Sequence, residues 1–182
     1  MGHCIEKQDV VFSTKDTEWH GLARKVDFIG DTEMELINFP IIESGLSAVI
    51  DGMEVKMDGY KVILADMRHR ADLPENERIF PLHVPKESYT PITNREVYEM
   101  AQTLSKDLGF QIVTAGTLEG GKKFFLSLDT GNAEFKINNN GKQEAILAYV
   151  DMITSHDGTL AQSTYDSMTR IVCMNTLKWS LA

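Results

Sequence analysis

The stretch TNREVYEMAQTLSKDLGFQIVTAGTLEGGKKFFLSLD, residues 93–129, decides the fold class. Its first half carries the signature of a helix. Thr93 followed by Glu96 is a capping box, in which the hydroxyl and the carboxylate each satisfy a backbone N–H that the first turn leaves bare. Val97, Met100, Ala101, Leu104 and Leu108 recur at helical spacing, and Gly109 is the residue type on which a helix stops most easily. A helix is predicted over 94–108. The second half changes period: two strand-compatible runs flank Glu119-Gly120-Gly121-Lys122, so 111–128 reads as a hairpin. A helix feeding an antiparallel hairpin, without βαβ alternation, indicates an α+β protein.

Working toward the N-terminus, LSAVIDGMEVKMDGYKVILAD (46–66) contains Asp51-Gly52 and Asp58-Gly59, each between strand-compatible runs. Both residue types tolerate the positive φ that tight hairpin turns require. A three-stranded meander is expected, with strands near 46–50, 53–57 and 60–66. IFPLHVPKESYTP (79–91) holds three prolines, which exclude a helix and argue against a central strand. Asp31 and Thr32 are cap candidates for a short helix that Pro40 limits. The first thirty residues lack sustained periodicity and read as an irregular extension.

Toward the C-terminus, NNNGK (138–142) is a turn, and strands at 144–154 and 161–173 bracket Asp157-Gly158. The second of these strands is polar on both faces, as an edge strand or a working surface would be. The expected architecture is one α+β domain over 1–182. Its antiparallel sheet comprises the meander 46–66, the hairpin 111–128 and strands 144–154 and 161–173, packed on helix 94–108.

With 42% hydrophobic and 25% charged residues, the 182-residue chain has the composition of a globular protein. No apolar run approaches the roughly 20 residues that cross a bilayer, and no signal-peptide core follows the N-terminus, so a cytoplasmic protein without membrane contact is expected. The net charge of −9 excludes bulk attraction to nucleic acid. It leaves two openings: a local basic groove, or an acidic surface that meets a basic protein. Cys4 and Cys173 match neither a zinc nor a disulfide spacing, so reduced thiols are expected.

Candidate chemistry is sparse. The histidines form no i, i+4 pair and no His/Cys cluster, so neither a metal nor any other cofactor is indicated. No catalytic residues are assigned, and the pattern points away from an enzyme. A hydrolase built on His20, His156, Asp157 and Cys173 needs a cleft to unite them. The plain reading puts His156 and Asp157 in a turn and Cys173 at the end of an apolar strand. Lys122 and Lys123 are placed to hold phosphate while Phe124 or Phe125 stacks on a base, with Arg170 as a further cation, although Gly-Gly is also an ordinary hairpin turn and one of two adjacent strand aromatics usually faces the core. Arg95 is a candidate exposed contact on the first helical turn. Arg68, His69 and Arg70 read as a solvated loop.

Five ordered motifs together resemble a known family: WHGLA (19–23), YTPITNREVYE (89–99), TAGTLEGGKKFF (114–125), SHDGT (155–159) and TRIVCMNTL (169–177). These are similar to a family of phage- and plasmid-like proteins that is catalogued as a domain of unknown function. The resemblance implies residence in mobile genetic elements, and thus a host's cytoplasm, but carries no enzymatic activity. Its members usually continue beyond the CMNTL segment. In that context the expected role is an accessory protein of DNA metabolism that binds or anneals single-stranded DNA and self-associates. The alternative is an acidic protein that binds and inhibits a host factor.

Overall fold

The computed structural model describes residues 5–15, 22–139, 142–168, 171 and 174–180, without the side chains of 132–139, 142–146, 174, 179 and 180. Its strands are β1 (Val11–Ser13), β2 (Arg24–Lys25), β3 (Ile41–Ile50), β4 (Met53–Asp66), β5 (Ile79–His83), β6 (Gln111–Leu118), β7 (Lys123–Asn139), β8 (Lys142–Ser155) and β9 (Ser163–Ser167). Its helices are α1 (Asp31–Ile37), α2 (Asn94–Leu108) and α3 (Met174–Ser180). A six-stranded sheet runs β2-β1-β6-β7-β8-β9, and a separate three-stranded sheet runs β3-β4-β5. All pairings are antiparallel except β1 with β2, so the larger sheet is mixed. The α+β architecture is as expected, and the first thirty residues supply two strands rather than only an irregular lead.

α2 forms where its caps dictate. The Glu96 N–H donates to Thr93 Oγ1 at 3.2 Å and the Thr93 N–H to Glu96 Oε2 at 2.7 Å. At the other end Gly109 sits at φ 73°, in the left-handed region. The buried face differs from the expected stripe. Val97, Tyr98 and Ala101 are buried and Leu104 is half-buried, while Met100 and Leu108 are exposed. Asn94 accounts for the rotation: it is itself buried, and 97, 98 and 101 are its neighbours at i+3, i+4 and i+7.

β7 alternates across the larger sheet. Phe124, Leu126 and Leu128 face α2, where they pack with Val97, Ala101, Ala115 and Met152. Phe125 points the other way, into a second cluster with Val11, Leu118, Ile153, Ile171 and Leu177. Adjacent phenylalanines therefore serve two cores, each burial contributing about 1.5–3 kcal/mol.

The meander is corrected. Asp51-Gly52, at φ 51° and 80°, makes the expected tight turn between β3 and β4. Asp58-Gly59 makes none. The register passes from Ser47↔Lys56 to Gly45↔Lys61, so β4 spends extra residues opposite β3 and absorbs Gly59, at φ 81°, as a bulge within one strand of 14 residues. The third strand is β5, which pairs with Ile63–Asp66 at the sheet edge, where Pro81 leaves no ladder donor missing from a central position.

The C-terminal strand is also corrected. β9 spans five residues at the sheet edge rather than 161–173, and α3 takes up part of the CMNTL segment. Ile171 and Leu177 are both buried beneath Phe125, a position that a strand continuing along the sheet edge does not supply. Cys4 and Cys173 lie outside the described residues.

Candidate functional site

The SHDGT segment leaves β8 at one end of the larger sheet. Gly158 is at φ 73°, and Asp157 Oδ1 accepts from the Thr159 N–H at 3.0 Å and from its hydroxyl at 2.6 Å, which closes the loop locally. His156 is wholly buried, and its backbone N–H donates to the Lys122 carbonyl at 2.7 Å. Its ring meets Asn94. Asn94 Nδ2 donates to the Ile37 carbonyl at 2.9 Å, so Asn94 Oδ1 is the atom 2.7 Å from His156 Nε2. A carbonyl oxygen only accepts, so Nε2 carries the proton and Nδ1 is a bare lone pair. Nδ1 has no hydrogen-bond partner among the described residues. Burial pushes the imidazole down to about 4, against a smaller upward pull from Asp157, so the ring is neutral near pH 7. Phe39 packs edge-on at 5.7 Å. His156 and Asn94 thus tie β8, α2 and the end of α1 together, with the ring shut off from solvent.

The neighbouring Glu119–Lys122 turn forms as expected, with Gly120 and Gly121 at φ 67° and 82°. Its backbone N–H groups are already engaged. Asp9 accepts from Gly120 N–H at 2.9 Å, Gly121 N–H at 2.8 Å and Glu6 N–H at 2.8 Å. The paired glycines do allow close backbone approach to an anion, and that anion is the chain's own carboxylate. A Cβ on Gly121 would also lie 3.2 Å from Met67 and 3.3 Å from the Phe39 ring.

The structure gathers some of the sequence-derived candidates and disperses others. Lys123 has a nearly buried side chain that pairs with Glu119 and lies 3.6 Å from Asp157. Lys122 is half-buried, and the Phe124 ring is wholly inside the core, with no face open to a base. Arg95 is exposed on α2, one residue from Asn94. Arg170 and His20 lie outside the described residues, as does Cys173, so of the hydrolase set only His156 and Asp157 are placed.

Other cations also face acids. Lys7 pairs with Glu77, Lys15 with Asp129, Lys61 with Glu43 and Arg68 with Asp66. Arg70 corrects the solvated-loop expectation. Its side chain is buried, donates twice to Asp72 at 2.7 Å and reaches the Gln8 carbonyl at 3.2 Å. The Arg70 guanidinium holds the Asp72 carboxyl down at about 2.

Sequence reasoning missed the most exposed apolar surface. β5 pairs with β4 as far as Ile63, and residues 85–87 follow β4 on to Gly59, with the Lys61 N–H donating to the Pro85 carbonyl at 3.1 Å and the Glu87 N–H to the Gly59 carbonyl at 2.9 Å. Beyond that point β3 and β4 project as a two-stranded arm. Ala48 pairs with Val55 and Ile50 with Met53, and alternation adds Leu46 and Met57 to the same side. That face is entirely apolar. The opposite face carries Ser47, Val49, Glu54 and Lys56. Ile50 is 55% exposed and Met53 66%, so the apolar side is not packed on the body. The period-2 pattern was visible, but it normally marks a strand that faces a core.

The molecule is thus an α+β protein of two sheets, with a capped helix over the larger and a hairpin arm extending from the smaller. The chain belongs to the family of the domain of unknown function DUF932, whose pattern matches residues 81–182. The match covers α2, the Glu119–Lys122 turn, the SHDGT loop and α3, and it begins after the arm. No curated protein and no solved structure matches the chain. Among the described residues, no helix is long and apolar enough to cross a membrane.

Proposed function

We propose that this chain is an accessory factor of a phage or plasmid that acts by contact with protein, and that the β3–β4 arm is its working surface. One observation carries the reading: six apolar side chains aligned on one face of a projecting hairpin, with Ile50, Met53, Val55 and Met57 all exposed. Such a face offers on the order of 500 Å², the size of the largest apolar patch on a typical monomer, which is often a functional one. The net charge of −9 and the pairing of cations with carboxylates support protein over nucleic acid as the partner. Of the four residues expected to hold a single strand, Lys122 alone is described with its side chain at all accessible beyond the Glu119 pairing.

Site-specific photo-crosslinking tests this. Val55→p-benzoyl-phenylalanine is expected to give protein adducts that survive nuclease treatment, while the same residue at Asp107, exposed on α2, gives none. Absence of adducts at Val55 would overturn the reading. A gel shift supplies the complementary measurement. Single-stranded DNA at low salt is expected to run unshifted, and a shift abolished by Lys122→Glu would restore strand binding as the function.

A further inference from the structure

We infer that the arm's apolar face docks against the same face of a second copy of this chain, making a two-fold dimer. This rests on the arm being a docking surface, and goes on to name its occupant. Exposed apolar surface is concentrated here: of the twelve large hydrophobics exposed among the described residues, Ile50, Met53, Val55 and Met57 lie on this face of the arm, and Val49 lies on its other face.

The chemistry of the face selects the partner. No charged side chain lies on it; Glu54 and Lys56 lie on the opposite face and Asp51 in the turn at the tip. The face therefore exerts no pull toward a cationic or an anionic protein. It needs another apolar, charge-free strip of the same width, and the chain carries one on each copy. Two-fold docking sets Leu46, Ala48 and Ile50 of one copy against the β4 residues Met53, Val55 and Met57 of the other, so each contact occurs twice. The unbranched methionines fill whatever gaps the twist of the two hairpins leaves. Two such faces bury roughly 1,000 Å² in total, the lower bound for a specific interface. Outside the interface each copy carries −9, so long-range repulsion opposes the dimer and salt relieves it. Association that tightens with salt is the opposite of what a charge-driven complex shows.

Light scattering on the full chain, over roughly 1–100 µM, tests the inference in the range where interfaces of this size dissociate. The mass is expected to rise from 20.5 kDa toward twice that value, at lower concentration when salt is raised. The double variant Ile50→Glu with Met53→Glu is expected to stay monomeric, with an unfolding midpoint that matches the unchanged chain's at concentrations where that chain is itself monomeric. Val49→Glu, on the opposite face, is expected to dimerise as the unchanged chain does. A mass of 20.5 kDa throughout, or a dimer that survives the double variant, would overturn the proposal. The Val55 crosslink separates the two possible failures. An adduct at twice the chain mass supports the second copy. An adduct of other mass from a monomeric chain sinks the second copy and keeps the docking surface, and no adduct sinks both.

Discussion

Acidification from about pH 7 to about pH 4 is expected to remove on the order of 3 kcal/mol of stability through His156 alone. The sign follows from its burial. In the unfolded chain the imidazole titrates at the ordinary 6.5, whereas in the folded protein it is pushed down to about 4. Above the unfolded value both states are neutral, and nothing is lost. Between the two values the unfolded chain takes up a proton that the folded protein refuses, so stability falls as pH falls. Protonation in place would put a charge beside the Phe39 ring, with Asn94 Oδ1 already satisfied by the other ring nitrogen. Urea melts of the wild type and of His156→Gln, at several pH values across this window, isolate the effect. Glutamine keeps an N–H for Asn94 and has no titration. Asp9, which burial raises against its backbone donors, acts in the opposite sense, and Asp72, lowered by Arg70, loses its contribution only below the ordinary carboxylate range. Both are common to the two proteins and cancel in the comparison. Parallel pH profiles for wild type and variant would show that His156 does not titrate as described.

Removing the Asp9 carboxylate is expected to have an effect of similar or greater size. Asp9→Ala strands the N–H groups of Glu6, Gly120 and Gly121 in a region where Asp9 itself is 8% exposed. A buried donor left without a partner costs about 1–3 kcal/mol, so the variant is expected to lose about 3–5 kcal/mol, much of the stability of a typical domain. The consequence should be local as well as global. Glu119, Gly120 and Gly121 all hold positive φ, which the two glycines adopt as readily as other conformations and Glu119 adopts against the preference of an L-residue, and the carboxylate gathers the amides of the two glycines. Amide exchange at Gly120 and Gly121 should accelerate before the rest of β6 and β7. Asp9→Asn retains one acceptor oxygen and should fall between the two. A loss under about 1 kcal/mol for Asp9→Ala, with exchange unchanged, would mean that the turn holds without its anchor.

These two predictions concern residues whose importance the sequence conveyed unevenly. His156 was singled out for its chemistry and turns out to be a buried link, because Asn94 and Phe39, 62 and 117 positions away, close around it. Asp9 drew no notice, since a lone aspartate 111 residues from Gly120 carries no local pattern. Lys123 and Phe124 looked like a phosphate and base contact, yet β7 lies between β6 and β8 and is covered on both faces, so an aromatic in it belongs to a core. The arm shows the converse error: a face patterned like the inside of a protein points outward, because among the described residues nothing covers Ile50, Met53, Val55 and Met57 there.

From the sequence by itself came the α+β class, the bounds and caps of α2, the Asp51-Gly52 and Glu119–Lys122 turns and the place of β8. Each depends on residues within about four positions of one another, where capping, φ preference and side-chain period act without knowledge of the rest of the chain. Only the tertiary structure decided that Asp58-Gly59 is a bulge rather than a turn, that α3 replaces the end of a strand, which face of α2 is buried, and which histidine, lysine and aspartate are enclosed. Those outcomes depend on what lies opposite, through contacts between residues tens of positions apart, and an Asp-Gly pair or a polar side chain has the same local preferences whichever partner the fold supplies.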